Sequence, residues 1–209
     1  MSYMLTALAA YLVGSIPTGF LMARAMGVDI RKVGSGNIGA TNVFRILGKG
    51  PGIFVLLIDA AKGYVPAEFF AFGASPQTHE YHLLVAGIFA VLGHNYTCWL
   101  RFKGGKGVAT TAGVLLAWVP VALLITLASW IVVCAISRYV SLASVIAALV
   151  LPFAVWGNQQ PGYMIVIASV LSALVIYKHR ANIQRLLAGT EHRFGSRKEK
   201  ETEHGETIH

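Results

Sequence analysis

The stretch VATTAGVLLAWVPVALLITLASWIVVCAI, residues 108–136, holds no charged residue, and its reading decides how the chain lies. An apolar run near 20 residues long matches a hydrocarbon core ~30 Å thick. Similar runs occupy roughly 4–26, 51–72, 81–100, 141–156 and 162–177. No ten-residue alternating strand pattern appears, and lipid-exposed backbone must satisfy its own hydrogen bonds. The chain therefore reads as an all-α integral membrane protein. Composition agrees: 56% of the 209 residues are hydrophobic and only 12% are charged, against about 25% charged in soluble domains. The mean hydropathy is +0.63.

Counted as one crossing, 108–136 would put Arg138 and the basic tail opposite the basic loops at Arg31-Lys32 and around Lys103. Counted as two crossings turning near Trp118-Val119-Pro120, it puts every Lys and Arg of the 17 on one side except Lys62, which lies inside a span. The loops at 73–80 and 157–162 hold neither Lys nor Arg. The positive-inside rule thus favours seven transmembrane helices, some short, with the N-terminus outside and the C-terminus cytoplasmic. The first half of the run, 108–118, spans only ~17 Å, so that crossing begins within the preceding loop or meets a thinned bilayer. The formal charge of +8 is then a topology signal. No basic soluble domain exists to carry nucleic acid. Met1-Ser2-Tyr3 lacks a basic n-region, so the first run reads as a span and not a cleavable signal. Residues 1–197 are expected to form a single domain, and the polar tail 198–209 to be disordered. Cys98 and Cys134, in or beside apolar runs, are expected to remain unpaired.

Three polar segments meet on the basic side. The first is Arg31-Lys32-Val33-Gly34-Ser35-Gly36-Asn37-Ile38-Gly39-Ala40-Thr41-Asn42-Val43-Phe44-Arg45. Small residues such as Gly34, Ser35, Gly36 and Asn37 let successive N–H groups point inward and make an anion-binding concavity. Thr41 or Asn42 is placed to cap a short helix whose N-terminus favours negative charge, and Arg45 follows with a forked guanidinium.

The second runs from His94 through Phe102-Lys103-Gly104-Gly105-Lys106-Gly107-Val108-Ala109-Thr110. Two lysines around two glycines put ammonium groups beside exposed backbone N–H groups, which suits a phosphate dianion. No Gly-x4-Gly-Lys-Ser/Thr occurs, so ATP or GTP is not implied. In the third segment His179, Asn182 and Arg185 recur every three residues and share a helical face. Alone this is equally an interfacial amphipathic helix. Arg138 and Ser141 fall on the same side. Asp59 and Lys62, at i,i+3 inside a span, are either functional or a neutralising pair that packs the bundle. His79, His82, His192, His204 and His209 show no metal spacing, and neither a metal nor a cofactor is expected.

Taken together these segments resemble the bacterial acyl-phosphate-dependent glycerol-3-phosphate acyltransferase family. The likeness runs from Gly14-Ser15-Ile16-Pro17-Thr18-Gly19 through both glycine-rich loops to Asn182-Ile183-x-Arg185-Leu186 and Gly189-Thr190-Glu191. It implies an inner-membrane enzyme with a cytoplasm-facing site that starts phospholipid biosynthesis. Such an enzyme moves a fatty acyl group from acyl phosphate to the 1-hydroxyl of sn-glycerol 3-phosphate, yielding lysophosphatidic acid and inorganic phosphate. His-x4-Asp, typical of acyltransferases using thioester donors, is absent here: Trp99 stands five positions after His94 and Gln184 after His179. On this reading Ser35, Arg45, Lys103, His179 and Asn182 are catalytic. Gly34, Gly36, Asn37, Thr41, Asn42, His94, Gly104, Gly105, Lys106, Gly107, Ser141 and Arg185 bind substrate. Ser35 serves as hydroxyl donor, not nucleophile, and the proton goes to the departing phosphate, His94 or His179. Partners are the two substrates, the bilayer and the enzyme that forms acyl phosphate. The competing class is a phosphate-ligand or lipid transporter, which predicts inverted repeats and helices broken at the midplane; neither is clear.

Overall fold

The computed structural model describes residues 2–71 and 74–195; the tail expected at 198–209 lies outside them. The described residues form ten α-helices and one 3₁₀ turn. The first span is two helices, α1 (Tyr3–Ser15) and α2 (Thr18–Ala25), interrupted at Ile16-Pro17, where proline has no N–H to continue the ladder. A loop leads to the short α3 (Ala40–Leu47) and then to α4 (Lys49–Phe69). Next come α5 (His79–Asn95), the 3₁₀ turn Cys98–Leu100, α6 (Val108–Trp118), α7 (Pro120–Ser137), α8 (Val140–Gly157), α9 (Gly162–Lys178) and α10 (Arg180–Leu187).

Four of these stretches are long and apolar enough to cross a membrane: Tyr3–Ala25, His79–Leu100, Pro120–Ser137 and Val140–Gly157. A fifth counts if α9 and α10, bent by 57°, form one span. Helix α4 has 21 residues but carries Asp59 and Lys62 in its middle, and α6 has 11.

Residues 108–136 fold back on themselves. The helix breaks at Val119, whose ψ of 64° is not helical, and Pro120 starts the next helix at its first position. The two ends of the run are tied together. Lys106 Nζ donates to Asn182 Oδ1 (2.5 Å), Asn182 Nδ2 to Glu191 Oε1 (2.7 Å), and Ser141 Oγ to the same oxygen (2.8 Å). A straight helix over 108–136 would separate those ends by roughly 43 Å.

Glycines let the helices pack at backbone distance. A Cβ on Gly14 would collide with the Ala90 carbonyl of α5, and one on Gly113 with the Ala60 carbonyl of α4. Such small-residue contacts drive helix association where lipid offers no hydrophobic contrast. At the end of the bundle away from the basic loops the core is tightly filled by Leu84, Leu115, Val119, Leu151, Val155 and Met164. At the other end it opens.

Candidate active site

Asn42 organises the first loop from within. It is 2% exposed. Its Nδ2 donates to the carbonyls of Ile30 (3.3 Å), Val33 (3.2 Å) and Asn37 (2.9 Å), while Oδ1 accepts from the Ser35 N–H (2.9 Å). Gly34 and Gly36 take φ of 57° and 67°, and a Cβ on Gly34 would strike Asn42 Oδ1. This corrects the expected cap: neither Thr41 nor Asn42 caps α3, which starts after Gly39 with no side-chain cap. Gly39 N–H goes to Asn37 Oδ1 (2.8 Å). First-turn N–H groups of a helix have no intrahelical acceptor. Those of α3 begin at Ala40 and Thr41, which face the site beside Ser35, Asn37 and Arg45.

The second loop is held by an elbow at Arg101 and Phe102, both left-handed (φ 54° and 61°), which turns it back along α5. Gly104 N–H then donates to the Asn95 carbonyl (3.2 Å) and Gly105 N–H to that of His94 (3.1 Å). Here the expectation needs correction, because these two N–H groups face α5 and are not offered to an anion. Their glycines are required by fit: a Cβ on Gly105 would run into His94 Nε2, and one on Gly107 (φ 78°) would lie 2.6 Å from Asn95 Oδ1. Lys106 and Gly107 reach the cavity; Lys103 is exposed and does not line it. Burial pushes the Lys106 ammonium down to about 8, with the positive charges of Arg185, Arg45 and Lys178 adding to that and Glu191 opposing it.

The third segment is not one helix. His179 sits at the bend, buried, its Nδ1 2.8 Å from the Val175 carbonyl. A carbonyl only accepts, so Nδ1 carries a hydrogen. His179, Asn182 and Arg185 nevertheless reach the same cavity. What joins them is Glu191, which the sequence reading did not place in the site. It accepts from Asn182, from Ser141 and from Arg185 Nε (2.7 Å). Burial pushes the Glu191 carboxyl up, but those hydrogen bonds and the Arg185 charge outweigh it and hold it below the ordinary range. Two signals were available: Glu191 closes the Gly189-Thr190-Glu191 stretch of the resemblance, and it is the sole acidic residue of 178–195.

Below this rim lie Asp59 and His94. Lys62 Nζ stands 2.8 Å from Asp59 Oδ1 and donates to the Ile16 carbonyl (2.7 Å), where the first span breaks. His94 Nδ1 is 3.8 Å from the same carboxylate. The intramembrane pair therefore neutralises itself while Lys62 fastens α4 to the end of α1.

These pieces line a partly open cavity of about 630 Å³. Its rim is lined by Arg45, Lys49, Lys106, Arg185 and Arg193, and its lower part by Leu115, Leu123, Leu151 and Leu171. A cationic mouth over an apolar chamber among membrane-length helices defines a class: a helical membrane protein whose cavity suits a molecule with an anionic head and an apolar tail.

Comparison with known proteins narrows the class. The sequence pattern described as glycerol-3-phosphate acyltransferase matches residues 4–189. A glycerol-3-phosphate acyltransferase of Geobacter sulfurreducens is 50% identical over 188 residues, covering 88% of this chain and 94% of its own. One from Geotalea daltonii is 49% identical over 187 residues, covering 90% and 95%. The crystal structure of PlsY (YgiH), an integral membrane glycerol 3-phosphate acyltransferase, in its glycerol 3-phosphate form superposes with a TM-score of 0.86 at 44% identity, covering 93% of this chain and 96% of that one. Its lysophosphatidic acid form gives 0.83 at 43%. The chain belongs to the glycerol-3-phosphate acyltransferase family; it is a multi-pass membrane protein and an acyltransferase.

Proposed function

We propose that the protein transfers a fatty acyl group from acyl phosphate to the 1-hydroxyl of sn-glycerol 3-phosphate, releasing lysophosphatidic acid and inorganic phosphate. The observation that carries this is the single cavity in which a five-cation rim meets an apolar chamber. Acyl phosphate is already activated, so the protein's work is to place two anions and stabilise developing charge. Ser35, Arg45 and the first turn of α3 hold the donor phosphate. Lys106, Ser141, Asn182 and Arg185, set by Glu191, hold the acceptor, with His179 closing the pocket. Lys103, outside the cavity, draws anions toward the mouth. Gly34, Gly36, Asn42, Gly104, Gly105 and Gly107 shape the loops, and His94 backs the second one.

The acceptor oxygen attacks the acyl carbon, the C–O bond to phosphate breaks, and the departing phosphate takes the hydroxyl proton. Atoms and charge balance without an acyl-enzyme. In this reading the chain makes seven passages with its N-terminus outside, its site faces the cytoplasm from a bacterial inner membrane, and residues 1–197 act as one domain; the gathering of lysines and arginines in alternate loops supports it. The test is phosphate release from palmitoyl phosphate by the purified protein, dependent on glycerol 3-phosphate and needing no coenzyme A or nucleotide. Absence of release contradicts the proposal, and a labelled acyl group trapped on Ser35 contradicts direct transfer.

A further inference from the structure

The apolar chamber has a floor. Leu171 of α9 lies eight residues before His179, Leu115 of α6 eight residues after Gly107, and Leu151 of α8 ten residues after Ser141. Along their helices these are roughly 12, 12 and 15 Å below the rim. All three are 3–4% exposed and line the cavity. Beneath them the packing is dense, since Leu115 and Leu151 join the core built on Val119, Val155 and Met164. One small void of about 10 Å³ interrupts it, and its walls include the same Leu115 and Leu171. That is about the space of one water. Two leucine side chains therefore partition a large chamber from a weak point in the core below.

We infer that Leu115 and Leu171, with Leu151 beside them, are the stop that sets the longest fatty acyl chain the enzyme takes. This rests on the acyl-transfer reading of the cavity above. Each methylene seated in the chamber adds apolar burial, about fourfold in affinity. A chain that already touches the floor has no further space, and close packing makes one more methylene count against it. The wall just above the floor supplies the opposite lever: Ala148, seven residues after Ser141 on α8, lines the chamber with a single methyl group.

The experiment measures kcat/KM by phosphate release over a homologous series of saturated acyl phosphates. Leu171→Ala and Leu115→Ala open the partition and are expected to move the optimum about two carbons longer, favouring the longest donors about tenfold over wild type. Ala148→Leu fills the chamber and is expected to move it shorter. The KM for glycerol 3-phosphate stays within about twofold in all three, because none touches the cationic rim. Leu171→Val, a smaller change in the same direction, serves if an alanine variant does not fold. Variants that turn over with the wild-type length profile overturn the inference and indicate that the chain leaves sideways between helices into the bilayer. Failure of the underlying reading appears separately, as a wild-type protein that consumes no acyl phosphate of any length.

Discussion

Two residues in the rim behave unlike their appearance in the sequence. Lys106 and Lys103 look equivalent in Lys-Gly-Gly-Lys, yet only Lys106 is turned into the cavity and bonded to Asn182. Its ammonium is depressed to about 8, chiefly by burial. The sign of the consequence is definite. Acceptor binding uses the charged form, so KM for glycerol 3-phosphate should rise as pH climbs through about 8. Stability should rise over the same range, because between about 8 and the ordinary lysine value the unfolded chain binds more protons than the folded one. Lys106→Arg should push the KM rise to higher pH. A KM flat from pH 7 to 9.5 would contradict this role; steady-state kinetics and thermal unfolding over that range check both halves. Glu191 is the second case. Removing its carboxylate strands Asn182, Ser141 and Arg185 together, so Glu191→Ala should lower stability by about 1–3 kcal/mol and raise acceptor KM more than it lowers kcat. Glu191 escaped the sequence reading because one carboxylate among arginines looks like a charge-balancing surface residue. Only the chain's return past Ser141 gives it a purpose.

At the scale of elements, the positions of the helices were legible because apolar run length is set by bilayer thickness. The split of 108–136 was also legible, from where the lysines and arginines fall, and the break at Val119-Pro120 sits where expected. The local geometry of the loops was not. Glycine clusters announce tight turns, but whether a glycine offers its N–H or merely makes room depends on what it packs against. Gly104 and Gly105 make room, and their N–H groups satisfy the last carbonyls of α5. A concrete expectation follows: Gly105→Ala must displace either His94 or the loop carrying Lys106. A shift near 1 Å in a positioned group costs about 10²-fold, so kcat/KM should fall by that order, and pairing with His94→Ala should recover part of it. No recovery in the double variant would show that the loop is positioned otherwise. The bend at His179 was likewise hidden, since His179, Asn182 and Arg185 fit one helical face on spacing alone.

For the whole molecule, one cavity joins a cationic rim to an apolar chamber, and that juxtaposition could not be read from any segment because α3, α6, α8 and α10 each supply a part. It also limits the chemistry. If His94 or His179 were an obligatory base, its replacement by alanine would cost roughly 10²–10⁴ in rate. Proton capture by the departing phosphate predicts a loss below about 10² at each, read as kcat at saturating substrates. Product stoichiometry tests direct acyl transfer. Purified protein given palmitoyl phosphate and glycerol 3-phosphate, without coenzyme A, carrier protein or nucleotide, should form 1-acyl-glycerol 3-phosphate and inorganic phosphate in equal amounts. Phosphate appearing without the acylated product, or no turnover until a thioester donor is supplied, would contradict it.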